Sequence, residues 1–112
     1  MADQQFKSEL SPAVIEALHR KFPGDEREQA ANTLREFHWK LQPDVDGRIH
    51  LDILHAAGDL VAVRKLVNLA KRDWRDLIVA TEYELREGKL VRTEWSQEMA
   101  RKRQAQYDAA KH

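Results

Sequence analysis

Residues 46–57 read DGRIHLDILHAA. Ile49, Leu51, Ile53, Leu54, Ala56 and Ala57 leave a helix there almost no polar face. A helix that apolar is buried on several sides. The stretch therefore predicts a short central helix, the third of the chain, with the others packed around it. Gly58 suits the left-handed residue just past its end.

Working outward, three prolines and four glycines divide the chain into segments of helical periodicity. Upstream, Ser11-Pro12 opens a first helix: serine accepts from an orphan N–H and proline fits the first helical position. Val14, Ile15, Leu18 and Phe22 follow at helical spacing, and Pro23-Gly24 stops the run. Asp25 with Glu28 reads as a capping box for a second helix. Its inward face would be Ala30, Ala31, Leu34, Phe37 and Leu41, with Pro43 as its stop. Gly47 would turn the chain, and Asp44 or Asp46 would cap helix three.

Downstream, Asp59 caps a fourth helix with Leu60, Val63, Leu66, Val67 and Ala70 inward. Asp73 followed by Asp76 opens a fifth, carrying Trp74, Leu77, Ile78, Thr81 and Leu85 on one face and ending at Gly88. The two read equally well as one kinked helix. Lys89 to Arg92 reads as a short extended stretch. Thr93 caps a last helix whose only large apolar residues are Trp95, Met99 and Tyr107. The expectation is an all-α fold: a compact bundle of about five short helices. It occupies residues 1–92. A polar C-terminal helix or tail over 93–112 is frayed or held by a partner.

At 112 residues the chain is sized for one domain with a real core. Charged residues make up 34%, which suits helices with many solvated faces. Lys plus Arg equals Asp plus Glu at 19 each, so no global field draws the chain to nucleic acid or an anionic membrane. There is no cysteine, which removes disulfides and thiolate zinc sites. MADQQFKSEL has no apolar stretch like a signal peptide, and the longest strongly apolar run is Leu77 to Ala80. A cytoplasmic protein without a membrane partner is the expectation.

QPDVDGRIHLDI, residues 42–53, resembles the middle of a calcium loop. With Gly47 at the turn, Asp44 and Asp46 fall on ligand positions. The first position falls on Gln42 and the bidentate twelfth on Ile53, which has no oxygen to give. No calcium is expected. His50 and His55 are five apart, about 140° around a helix, so they do not chelate one metal together. No serine sits in a nucleophile elbow, and no glycine-rich loop could cradle phosphate. Neither an enzyme nor a cofactor is expected.

The sharpest local pattern is KRDWRDL, residues 71–77. Lys71, Arg72 and Arg75 around Trp74 could grip phosphate and stack on a base. Asp73 and Asp76 are interleaved and would repel it. A helix junction, with Asp73 capping and Trp74 packing, explains the same residues. The basic run Arg101-Lys102-Arg103 lies between Met99 and Tyr107.

From Gly47 to Tyr83 the chain resembles a group of short bacterial helical proteins of unknown function. The residues that carry it are Arg48, Leu51 to Leu54, Gly58-Asp59-Leu60, Ala70 to Asp76 and Glu82-Tyr83. The departure is His55-Ala56-Ala57, where a Lys-Leu pair is more usual. The stretch covers 37 of the 112 residues. The resemblance implies a bacterial source and a compact helical fold; it implies no activity.

Two function classes follow. The first is a small non-enzymatic protein–protein interaction or regulatory module, binding another protein or a second copy of itself. Its contacts would be Trp95, Met99, Arg101, Lys102, Arg103 and Tyr107, because tryptophan and tyrosine anchor interfaces and this helix has little else to bury. The alternative is a nucleic-acid-binding protein using Lys71, Arg72, Arg75 and the 101–103 run. The zero net charge disfavours that alternative.

Overall fold

The computed structural model describes residues 10–38 and 43–110, with backbone alone at 43, 44 and 110. The fold is all-α. The described residues form α1 (Pro12–Lys21), α2 (Gly24–Leu34), α3 (Pro43–Ala56), α4 (Leu60–Arg72), α5 (Trp74–Glu82), a hairpin of β1 (Tyr83–Arg86) and β2 (Lys89–Arg92), and α6 (Glu94–Ala110). None of these helices is long and apolar enough to cross a membrane.

The core is built on α3, as its composition predicts. Ile49 and Ile53 are completely buried, and Leu54 is nearly so. Val14 and Leu18 of α1, Val63 and Val67 of α4, and Leu77 of α5 close around them. Each of these pairs is four residues apart, so each helix turns one stripe inward. Trp74 packs on the edge of this core.

Side-chain caps fix four helix starts. Ser11 Oγ accepts from the Val14 N–H at 3.3 Å, with Pro12 at the first helical position. Asp59 Oδ1 accepts from Ala62 at 2.8 Å, and Thr93 Oγ1 accepts from Ser96 at 3.1 Å. Asp73 separates α4 from α5: its backbone is extended, with φ −161°, and its carboxylate accepts from the Arg75 N–H at 3.0 Å. These are two helices and not one kinked helix.

Several boundaries differ from expectation. α2 opens at Gly24, which takes φ +54°, with no side-chain cap bond. The Asp25–Glu28 capping box is therefore not formed. α2 also ends at Leu34, short of Leu41. Its last turn tightens: Glu36 N–H bonds to Thr33 and Phe37 N–H to Leu34, three residues back. Phe37 is still buried, whereas Trp39 and Leu41 lie outside the described residues. α3 starts at Pro43, so Gly47 is helical and does not turn the chain. Asp46 lies inside the helix, and its carboxylate meets His38 Nδ1 at 2.7 Å. Gly58 does not adopt a positive φ.

The largest departure is after Glu82. α5 stops there, and Leu85 is 72% exposed on β1 instead of facing the core. β1 and β2 pair antiparallel from Tyr83↔Arg92 to Arg86↔Lys89. Glu87 and Gly88 form the two-residue turn, with φ of 50° and 78°. Positive φ at both turn residues is the geometry that matches strand twist. Gly88 ends no helix; it reverses a hairpin.

Candidate functional site

Charged side chains from α3, α5, β2 and α6 meet at one point. Arg48 and Asp52 are one turn apart on α3. Glu82 ends α5, Arg92 ends β2, and Ser96 and Arg103 come from α6. Glu82 is the centre, 1% exposed. Arg48 donates to both its oxygens, from Nε at 2.8 Å and Nη2 at 2.6 Å. Such a two-pronged pair fixes geometry as well as charge. Arg92 Nη1 reaches Glu82 Oε1 at 3.1 Å and Ser96 Oγ at 2.8 Å. The Ser96 hydroxyl lies 3.4 Å from the same carboxylate oxygen. The Arg92 guanidinium also sits over the Tyr83 ring, 5.1 Å from its centroid. The hairpin is what makes this possible. Folding β2 back on β1 returns Arg92 to Glu82, and the Thr93 N–H bonds to the Glu82 carbonyl at 2.9 Å.

Asp52 is 1% exposed and shares a hydrogen bond with the Glu82 carboxyl. Its Oδ2 has no partner among the described residues. Two buried carboxyls this close do not both ionise. Burial pushes the Asp52 carboxyl up to about 9, and the hydrogen bond and charge of Glu82 add to it. Burial also pushes Glu82 up, but the hydrogen bonds from Arg48 and Asp52 and the Arg48 charge outweigh it and hold Glu82 near 2. Asp52 therefore keeps the proton and Glu82 the charge. Arg48, Arg92 and Arg103 face a single ionised carboxylate. Arg103 is the cation left over. It is half-buried and makes no hydrogen bond or ion pair among the described residues. Burial, then the charge of Arg48, pulls its pKa down.

Beside this cluster, an open groove of about 1970 Å³ lies between α6 and the α1–α3 pair. Ala17 and Lys21 line the α1 side, and Leu51 and His55 the α3 side. At one end Trp95 stacks on His55, with ring centroids 4.0 Å apart and planes 7° from parallel. Burial, with the charge of Lys21, lowers the His55 pKa and favours a neutral ring in the stack. Lys21 Nζ itself donates to the carbonyls of Leu54 and His55, at the negative end of α3.

Five of the six α6 residues singled out from the sequence line this groove: Trp95, Met99, Lys102, Arg103 and Tyr107. Arg101 does not; it is exposed outside it. Lys71, Arg72 and Arg75 lie elsewhere, along a smaller cleft of about 400 Å³ at the α4–α5 junction. Two of them already have acids. Lys71 Nζ is 3.2 Å from Glu36, which also takes Arg64 through two bonds of 2.7 and 2.9 Å. The Arg64 hydrogen bond holds the Glu36 carboxyl below its usual range, with Lys71 adding to the effect. Arg75 Nε lies 3.3 Å from Asp73. Among the described residues, no cluster of three or more His, Asp or Glu is placed to hold a metal.

The carboxyl cluster was not anticipated. Its signal was present: Arg48 and Asp52 interrupt an apolar helix at a spacing of four, so both must point to one place. Their target was hidden because Glu82 is 30 residues beyond Asp52. Two markers of the resemblance, Arg48 and Glu82, turn out to be bonded partners. No protein-family model, curated protein or solved structure matches this chain.

Proposed function

We propose that this chain is a small non-enzymatic interaction module of the cytoplasm, which docks a segment of another protein in the groove between α6 and α1–α3. The observation that carries this reading is the groove wall. Trp95 and Met99 of α6 are only half-buried, and Tyr107 is 59% exposed, so the main apolar side chains of α6 line open space instead of a closed core. Aromatic and methionine side chains in a concave surface with a polar rim are what protein interfaces use.

The carboxyl pair does not argue for catalysis. Both oxygens of Glu82 are held by Arg48, and neither Asp52 nor Glu82 lines the groove. A general acid must reach substrate. The pair reads instead as the clamp that ties α6 to the bundle.

The test is site-specific photo-crosslinking in host cells, with the reactive group at Met99 in the groove and at Val61, which is 64% exposed on α4. A defined protein adduct at Met99 and not at Val61, reproduced with the purified partner at fixed stoichiometry, supports the reading. Adducts of equal pattern at both positions, or a Met99 adduct that is nucleic acid, overturn it.

A further inference from the structure

We infer that the groove is built for an acidic amphipathic helix, whose apolar face covers Leu51 and Met99 and whose carboxylates meet Arg103 and Lys102. The inference rests on the proposed function and names the chemistry of its partner.

Charge is the first argument. Within the groove, Glu16 is ion-paired with Arg20, and Asp46 is hydrogen-bonded to His38. Arg48 is committed to Glu82. Lys21, Lys102 and Arg103 form no ion pair with an acid among the described residues, and Glu98 is the one described acid of the groove that is not already bonded. Arg103 is the strongest of the three. A guanidinium that is half-buried beside Arg48 has lost water and gained repulsion, which the nearby Glu82 charge offsets only in part. A carboxylate would restore two parallel hydrogen bonds and neutralise that repulsion.

Shape is the second argument. The groove is walled by α1, α3 and α6 and contains no residue of the hairpin. A ligand strand has no sheet edge to extend there, so the mode available is a helix laid into a groove. A second copy is a poor occupant. The apolar stripes of α1, α4 and α5 are buried through Val14, Leu18, Val63, Val67 and Leu77, which leaves one large exposed apolar side chain on each, Ile15, Val61 and Val79.

The experiment is a displayed library of helical peptides of random composition, panned against the full chain. Clones are kept when they bind the wild type and fail on Met99→Trp, a variant that fills the groove without adding charge and whose fold is checked by circular dichroism. The kept clones are expected to be rich in Asp and Glu. Their affinity is expected to fall by about tenfold in Arg103→Gln and by about threefold in Lys102→Gln. Lys102 is exposed and makes no ion pair among the described residues, so its variant reports on binding even if Arg103→Gln is unstable. Groove-dependent clones with no excess of acids, or with affinities unchanged in both variants, overturn the inference and leave the interaction module standing. If no clone depends on the groove, the proposed function falls with it.

Discussion

Asp52 is the residue whose chemistry departs furthest from its ordinary state. Its carboxyl holds a proton to about 9 in the folded protein, against 3.8 when free. The folded state therefore binds a proton that the unfolded state has released, and stability falls as pH rises through that window. Glu82 acts in the opposite sense: its depressed pKa adds stability that is lost only as pH drops below the usual carboxylate range. His50 and His55, both lowered by burial, oppose Asp52 up to their ordinary 6.5, so the clean interval is pH 7 to 9. Arg48 of α3, Arg92 of β2 and Arg103 of α6 are the charged groups that face the Asp52–Glu82 pair. Denaturant unfolding across that interval is expected to show wild-type stability dropping by up to about 1.4 kcal/mol per pH unit. In Asp52→Asn the slope should flatten, because the amide donates to Glu82 without titrating. Equal slopes in the two proteins would refute the shared proton. Glu82→Ala should instead cost about 3 kcal/mol at any pH near neutral, since it strands Arg48 and Arg92 without their carboxylate. An unchanged melting temperature would show that the pair contributes little. Sequence shows that Arg48 and Asp52 share a helical face; it does not show that Glu82 waits opposite.

At the scale of elements, local signals located the capped starts of α1, α4, α5 and α6 and missed the ends of α2 and α5. Ser11, Asp59, Asp73 and Thr93 each cap where their residue type leads one to look, because a cap is a bond made within three residues. Asp59→Ala should therefore cost about 1 kcal/mol, read by denaturant midpoint at constant slope. Those two ends were set by remote contacts. α2 stops at Leu34, and the turn that follows brings Glu36 to Arg64 and Lys71 while burying Phe37. α5 stops at Glu82, where the Arg48 clamp and the hairpin take over. Leu85 sits at helical spacing from Thr81 and Ile78, but two positive φ values at Glu87 and Gly88 close a hairpin instead. The readable clue was a glycine-containing two-residue loop between short β-capable runs. α6 divides along its length. Thr93, Trp95, Ser96 and Arg103 face the bundle, while from residue 104 to 109 every side chain is exposed. Hydrogen exchange is expected to protect amides near Met99 more than those near Gln106. Uniform protection along α6 would mean that its end is held by something further.

For the whole molecule, the balance of 19 basic and 19 acidic residues recurs in three dimensions as neutralised clusters. Glu36 holds Arg64 and Lys71, and Asp73 holds Arg75. A fluorescent DNA duplex is therefore expected to show no change in anisotropy with this protein even at low salt. Salt-sensitive binding lost in a Lys71→Gln, Arg72→Gln variant would make the α4–α5 junction a nucleic-acid contact. The sequence alone determined the all-α class, the central place of α3, and the inward stripes of α1, α4 and α5. These depend on apolar periodicity and on caps, which are properties of neighbours along the chain. Only the tertiary structure decided the two features on which function is argued. One is the Arg48–Asp52–Glu82–Arg92 cluster, made from residues up to 44 positions apart. The other is the groove, which exists because α6 returns across α3 to stack Trp95 on His55. Both depend on how a two-residue turn redirects the chain after Glu82, and through-space pairing of that kind leaves no period in a sequence.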